Sequence, residues 1–331
     1  LPIKERVNIP FASKAMGEYN GKIVPVMHAC GHDTHTAILM GTAEILASIK
    51  SELKGTVKFI FQPAEEGPPE GEEGGAKLMV KEGVLENPKV DVIFGLHINA
   101  QTEVGKIKYR PKGTMAASDL YTIKINGKQT HGAYPWLGID PITTAAQIIM
   151  GIQTIVSRNL NITESAAVIS VGQINAGVRS NVIPEELTMT GTIRSLDSKV
   201  QDMMHSRLKK VVSSIAESAG ATAEIKITNQ TLITYNDPLL TEKMVPTLEI
   251  TAGKDNVSIT PAVTGAEDFS YFQEKIPGLY FFLGGAPKGK PIEETAPHHT
   301  PDFYIDESSF VLGMKALSNL TIDYMEMNAK K

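Results

Sequence analysis

The stretch VMHACGHDTHTAIL, residues 26–39, packs His28, His32, His35, Asp33 and the chain's only cysteine, Cys30, into fourteen positions. Thiolate, neutral imidazole and carboxylate are the donors that zinc and its neighbours select, and a thiol beside an imidazole can also be a nucleophile. The stretch can therefore be a metal site, a Cys/His nucleophile, or a polar loop with no chemistry in it. Further groups of the same kind recur along the chain. Glu65 and Glu66 follow the apolar run VKFIF, His97 lies near the end of VDVIFGLHI, and His298 and His299 follow GLYFFLGG after a loop. Taken singly, each has a plain alternative. A lone histidine is more often a hydrogen-bonded core residue, a lone cysteine a small hydrophobe, and a glutamate pair solvated. Their joint placement at the ends of successive apolar runs favours a metal site, because functional groups of open α/β sheets gather at strand ends. Burying Glu65 and Glu66 together without cations would also be costly.

Competing chemistry finds little support. No His-Glu-x-x-His and no Gly-x-Ser-x-Gly occurs. GGAPKGKP, residues 284–291, approaches a phosphate-binding loop, but Pro291 stands where the metal-binding Ser or Thr is needed and no amphipathic helix follows.

The elements that must position these groups alternate. A helical stretch over 34–53 spaces Ile38, Leu39, Ala43, Leu46 and Ile49 at helical intervals. GTVKFIF (55–61), residues 90–98 and residues 278–285 read as buried strands, and a short helix lies around GAKLMVKEG. Helices between nearly continuous apolar strands imply an α/β layer on a mostly parallel sheet. The middle of the chain differs. DLYTIKING (119–127) alternates, a helix follows at about 140–157, strands near 166–174 and 186–194, a helix at about 198–219, and TAEIKIT (222–228) closes the set. The order β-α-β-β-α-β predicts a ferredoxin-like α+β unit inserted into the α/β domain.

Length and charge agree with this division. The 331 residues are 42% hydrophobic and 21% charged, which suits two globular domains. A net charge of −5 offers no electrostatic case for a nucleic-acid or anionic-membrane partner. No apolar run approaches the ~18 residues that span a bilayer. One cysteine excludes an intrachain disulfide, and residues 1–12 lack a signal-peptide pattern. The compartment stays open, with the cytoplasm slightly favoured.

The motifs MHACGHDTH, FQPAEEG, GLHI, GKQTHGAYP, SNVIP, GTIRS and GAEDFS, in this order over nearly the whole chain, resemble the M20 metallopeptidase/amidohydrolase family. The likeness is greatest to its amidohydrolase branch of hippurate hydrolases, N-acyl-amino-acid amidohydrolases and auxin-conjugate hydrolases. The resemblance implies a catalytic domain holding two divalent metals, zinc first and Mn or Co as alternatives, interrupted by a lid domain. The expected division is 1–114 and 229–331 for the catalytic domain and 115–228 for the lid. By motif, Cys30 would bridge the metals as thiolate. His32 and His299 would complete one shell, or one each, and Glu66 and His97 would hold the other metal. His299 is taken over His298 because it directly precedes Thr-Pro; His28, His35 and His298 would be supporting or structural.

In the same resemblance Glu65 is the general base, His131 polarises the scissile carbonyl from its own subunit or across a homodimer formed through the lid, and Asn181 and Arg194 hold the substrate carboxylate. Glu267 and Asp268 would order a loop lining the pocket. The implied reaction is hydrolysis of an N-acyl amino acid of hippurate type. A carboxypeptidase or dipeptidase is the alternative within the chemistry. From another class, the alternative is a non-catalytic binding protein or inactive fragment, against which intact Cys30, Glu65 and His299 argue. One departure stands out. The branch places Arg-Ala-Asp-Met-Asp-Ala before Leu-Pro-Ile, and here Leu1–Ile3 open the chain, so the first strands and a supporting aspartate of the usual catalytic domain are expected to be missing.

Overall fold

The computed structural model describes residues 1–69 and 71–329. Along the chain come β1 (Met16–Tyr19), β2 (Lys22–Pro25), α1 (His32–Ser48), α2 (Gly75–Lys81), β3 (Ile93–Glu103), β4 (Ile107–Tyr109) and β5 (Lys112–Met115). Then follow β6 (Ala117–Asn126), β7 (Thr130–His131), α3 (Pro141–Asn159), β8 (Ala167–Ala176), β9 (Val182–Ile183), β10 (Glu186–Ser195), α4 (Ser198–Ser218), β11 (Thr222–Thr231) and β12 (Thr234–Asn236). The chain closes with α5 (Pro238–Ala252), β13 (Val257–Ile259), α6 (Ser270–Gln273), β14 (Gly278–Ala286) and α7 (Phe310–Asn328).

Two compact units result. The first comprises residues 1–112, 235–261 and 272–331, the second 113–234 and 262–271. The return segment 262–271 joins the second unit rather than the first, unlike the contiguous division expected from the resemblance. Backbone bonding explains why: Ala116 N–H donates to Val263 O and Gly265 O, Val263 N–H to Thr114 O, and Thr234 Oγ1 to Glu267 O.

In the first unit a four-stranded sheet runs β13-β4-β14-β3. Two of its pairings, β13 with β4 and β14 with β3, are parallel, whereas β14 with β4 is antiparallel. The core gathers Ile38 of α1, Ile98 of β3, Leu240, Met244 and Leu248 of α5, Phe281 and Leu283 of β14, and Ala316 and Leu320 of α7. β14 is buried along its whole length, as a central strand covered on both faces must be.

The predicted strand at 55–61 does not form. Among the described residues it joins no ladder, Phe61 is 46% exposed, and Lys58 Nζ donates to Val84 O and Glu86 O instead. An apolar run supplies strand propensity, but a strand exists only where a partner accepts its backbone hydrogen bonds.

The second unit is ferredoxin-like. Its sheet, β11-β6-β10-β8, is antiparallel throughout. α3 buries Ala145, Ile148, Ile152 and Ile155, and α4 buries Met204, Leu208, Val212 and Ala216, stripes at helical spacing that cover the sheet's apolar residues Tyr121, Ile123, Ile125, Leu187, Met189 and Ile193. Both helices start on aspartate caps: Asp140 accepts from Ile142 N–H and Thr143 N–H, and Asp197 from Val200 N–H. Among the described residues no helix is long and apolar enough to cross a membrane.

Candidate metal centre

In the first unit, Cys30 precedes Gly31, and Gly31 caps the start of α1, so His32 is the first helical residue. Gly31 has φ 95°, and a Cβ there would lie 2.4 Å from Ile98 Cγ2. Only glycine accepts both the left-handed backbone and that close approach. The tight passage brings Cys30 against β3, where His97 sits mid-strand rather than near the end, because β3 continues to Glu103.

Glu65 and Glu66 are the middle residues of a turn closed by Gly67 N–H to Ala64 O at 3.2 Å. Ala64 has φ 55° and Gly67 φ 103°. His299 is likewise left-handed, with φ 62°, and is held by its N–H on Ala29 O at 2.8 Å. A non-glycine residue in that region costs about 1–2 kcal/mol; here one such residue, Ala64, precedes the acid pair and the other, His299, is itself an imidazole donor.

The donors converge. Cys30, His32 and His97 place donor atoms within 4.8 Å of one another, and so do Cys30, Glu66 and His299. His32, Glu65 and Glu66 form a third such set. Cys30 is common to the first two triads. His32 thus stands near His97 in one set and His299 near Glu66 in another, while His32 and Glu66 also share the third. His299 Nε2 lies 3.0 Å from Glu66 Oε1, and Glu65 Oε2 lies 3.5 Å from His32 Nε2.

Hydrogen bonding distinguishes the four rings. His97 Nδ1–H donates to Ile98 O at 2.5 Å, which leaves Nε2 facing Cys30 Sγ at 3.4 Å. That arrangement orients a ligating imidazole by tying its other nitrogen to a carbonyl. His32 Nε2 is buried and has no hydrogen-bond partner among the described residues, an orphaned lone pair of the kind a cation satisfies. His298 has no nitrogen to spare: Nδ1–H donates to Cys30 O at 3.1 Å and Nε2 accepts from Ala100 N–H at 3.1 Å. His35 Nε2 accepts from Ile98 N–H at 2.9 Å. β3 is an edge strand, so its outward amides at Ile98 and Ala100 lack a ladder partner, and these two histidines supply one.

All four rings are held neutral. Burial, with His97 next, pushes His32 down to about 4 and His298 down to about 3. Burial takes His35 well below the ordinary range and lowers His97 as well. Neutral imidazoles beside a thiol and two carboxylates are the donor set that suits zinc and, less selectively, manganese or cobalt. The residues therefore fit a pair of divalent cations.

The remaining expected residues lie in the second unit. β7 pairs with β9, His131 opposite Val182, and Gly132 N–H donates to Asn181 O at 2.8 Å, so His131 and Asn181 meet at one two-stranded ladder. His131 Nδ1 accepts from Ala133 N–H at 3.0 Å. That bond puts the ring proton on Nε2 and makes it a donor. Arg194 is half-buried on β10 opposite Ser118 and Val168, with no ion pair among the described residues. Glu267 and Asp268 are buried, and Glu267 Oε1 accepts from Phe269 N–H. Sequence reasoning missed a second buried cluster. Asp119, 1% exposed, accepts from Gln201 Nε2 on both oxygens and lies 2.6 Å from His205 Nε2. Its signal was a lone charge on the apolar face of an alternating strand.

Residues 1–323 match peptidase family M20/M25/M40. Thermostable carboxypeptidase 2 of Saccharolobus solfataricus is 39% identical over 325 residues, 98% of this chain and 78% of that protein. An N-acetylcysteine deacetylase of Bacillus subtilis is 36% identical over 327 residues, 98% of this chain and 79% of that one. A Bacillus subtilis crystal structure, described as a dinuclear metal binding peptidase from the M20 family, superposes with a TM-score of 0.79 at 34% identity, covering 98% of this chain and 79% of that one. Sequence, fold and donor cluster agree, and the chain belongs to peptidase family M20/M25/M40, as a hydrolase of its amidohydrolase and peptidase group.

Proposed function

We propose that this chain hydrolyses the amide bond of N-acyl amino acids at a centre holding two divalent metal ions, with zinc the first choice. The observation that carries the reading is the meeting of two donor triads at Cys30. Cys30, as thiolate, is shared. His32 and His97 complete one set, Glu66 and His299 the other. When bound, the metals supply Lewis acidity to the scissile carbonyl and to the attacking water.

Glu65, beside His32 but outside both Cys30 triads, takes the proton from the attacking water and passes it to the leaving amine as the C–N bond breaks. His131 donates from Nε2–H to the carbonyl oxygen as negative charge grows there, a role that its bond from Ala133 N–H prepares. It acts from its own subunit or across a homodimer formed through the lid. Arg194, with no competing ion pair among the described residues, and Asn181 hold the α-carboxylate of the substrate. The deacetylase relative supports removal of an acyl group. The carboxypeptidase relative supports a second reading, cleavage of a C-terminal residue from a short peptide.

The test is elemental analysis of the purified protein with hydrolysis of N-benzoylglycine and of a dipeptide, before and after chelation. About two metals per chain and chelator-sensitive release of glycine from the acyl substrate are expected. Dipeptide cleavage alone would favour the second reading, and full activity after complete metal removal would refute both.

A further inference from the structure

The segment that carries His131 continues into the sequence YPWL, whose side chains are exposed. Trp136, the chain's only tryptophan, is 74% exposed, Leu137 58% and Tyr134 50%. The backbone beneath them is rigid. Tyr134 N–H donates to His131 O, Leu137 N–H to Tyr134 O, Gly138 N–H to Pro135 O, and Lys128 and Ile139 exchange both backbone bonds. Thr130 Oγ1 adds a bond to Tyr134 O. A Cβ on Gly138 would lie 2.5 Å from Lys128 O, so the turn closes tightly on glycine. The rings form a row: His131 to Tyr134 is 5.4 Å between centroids, and Tyr134 to Trp136 is 5.6 Å, edge to face.

A fixed turn that leaves two aromatic rings in solvent presents binding surface, since loose exposed aromatics would be cheaper on a mobile loop. The placement of residues around His131 says what binds. Asn181 lies across the β7–β9 ladder, bonded to Gly132, whereas Tyr134 and Trp136 follow His131 on its own segment as a row of rings. We propose that Tyr134 and Trp136 form an aromatic shelf for the acyl group of the substrate and select planar aromatic acyl groups over acetyl. The inference rests on the proposed reaction, in which His131 touches the acyl carbonyl. With the α-carboxylate toward Asn181 and the carbonyl at His131, the substituent on the carbonyl carbon extends toward Tyr134. A flat ring there can take the offset or edge-on geometry that aromatic pairs prefer. An acetyl methyl is too short to use the second ring.

Because the chain has one tryptophan, its intrinsic emission reads the shelf directly. The experiment compares kcat/KM for N-benzoylglycine and N-acetylglycine in the metal-loaded wild type, Trp136→Ala and Trp136→Phe. It also titrates wild-type tryptophan emission with benzoate and with acetate. Expected are a benzoyl-over-acetyl preference in the wild type and a roughly tenfold loss of that preference in Trp136→Ala, through KM for the benzoyl substrate. Trp136→Phe should restore most of it, and emission should respond to benzoate and not to acetate.

Equal loss for both substrates would show that Trp136 only supports the turn, and no change for either would remove it from the site; both overturn the proposal. Emission that changes on dilution of the protein and not with benzoate would assign the shelf to a second copy of the chain, and overturns it too. If no N-acyl amino acid is cleaved yet benzoate still shifts the emission, the shelf stands and the reading of the reaction fails.

Discussion

His298→Ala and His299→Ala exchange the same side chain at adjacent positions, yet the structure assigns them opposite costs. His298 bridges Cys30 O and the edge amide of Ala100, and its ring lies 4.9 Å from that of Phe303. Truncation leaves one donor and one acceptor unpaired in a mostly buried place, at about 1–3 kcal/mol each. Loss of ring packing adds to this, so the metal-free protein should lose about 3–5 kcal/mol in urea unfolding. The same bridge orients the segment that presents Cys30, so affinity for the metals should fall by about 10–100-fold while both sites survive.

His299 is 51% exposed on its side chain, and its structural bond is made by its backbone N–H to Ala29 O. His299→Ala should therefore cost under about 1 kcal/mol of metal-free stability and remove one of the two metals. The assays are urea unfolding of chelated protein and metal titration against a competing chelator. If His298→Ala abolishes one site with little loss of stability, or His299→Ala destabilises and keeps both metals, the division into support and ligand is wrong.

Glu65→Gln should lower turnover by at least about a hundredfold and leave metal content unchanged; loss of metal with activity would make Glu65 a ligand. Arg194→Ala should raise KM for substrates with a free α-carboxylate far more than for their amides, and equal effects would remove it from the carboxylate pocket. Gly31→Ala places a Cβ at φ 95° against Ile98, and should cost about 2–4 kcal/mol in chelated protein; a loss under about 1 kcal/mol would show that the Cys30 passage can relax. For the pH dependence, His32 at about 4 and His298 at about 3 lie below the unfolded value near 6.5. The unfolded chain therefore binds more protons between these limits, and stability is full above about 6.5 and lost as pH falls toward 4 and then 3. Each ring contributes a slope of about 1.4 kcal/mol per pH unit, so urea midpoints of chelated protein should drop from pH 6.5 to 4; a flat profile would mean that the rings are not buried neutral.

Local sequence was enough for elements whose pattern is complete within themselves. The alternation of β6, the four-residue stripes of α3 and α4, and the aspartates that cap them specify the ferredoxin-like unit, because each strand and helix has one face to bury and the pattern says which. The side chains that cluster in the first unit were visible for a related reason: Cys30, His32, Glu65, Glu66, His97 and His299 are of ligating types, and their motifs are local.

Tertiary structure decided the rest. Whether 55–61 becomes a strand depends on a partner, which apolar residues cannot declare, and the extension of β3 past residue 98 depends on its pairing with β14. The meeting of Cys30 with His97 depends on the close approach of Gly31 to Ile98 on β3. His298 and His299 are chemically identical neighbours, and the edge amide of Ala100 on β3 claims the ring of one while the other meets Glu66. A side chain's type is written in the chain, but which of its atoms remain available is settled by the backbone groups that folding brings against it.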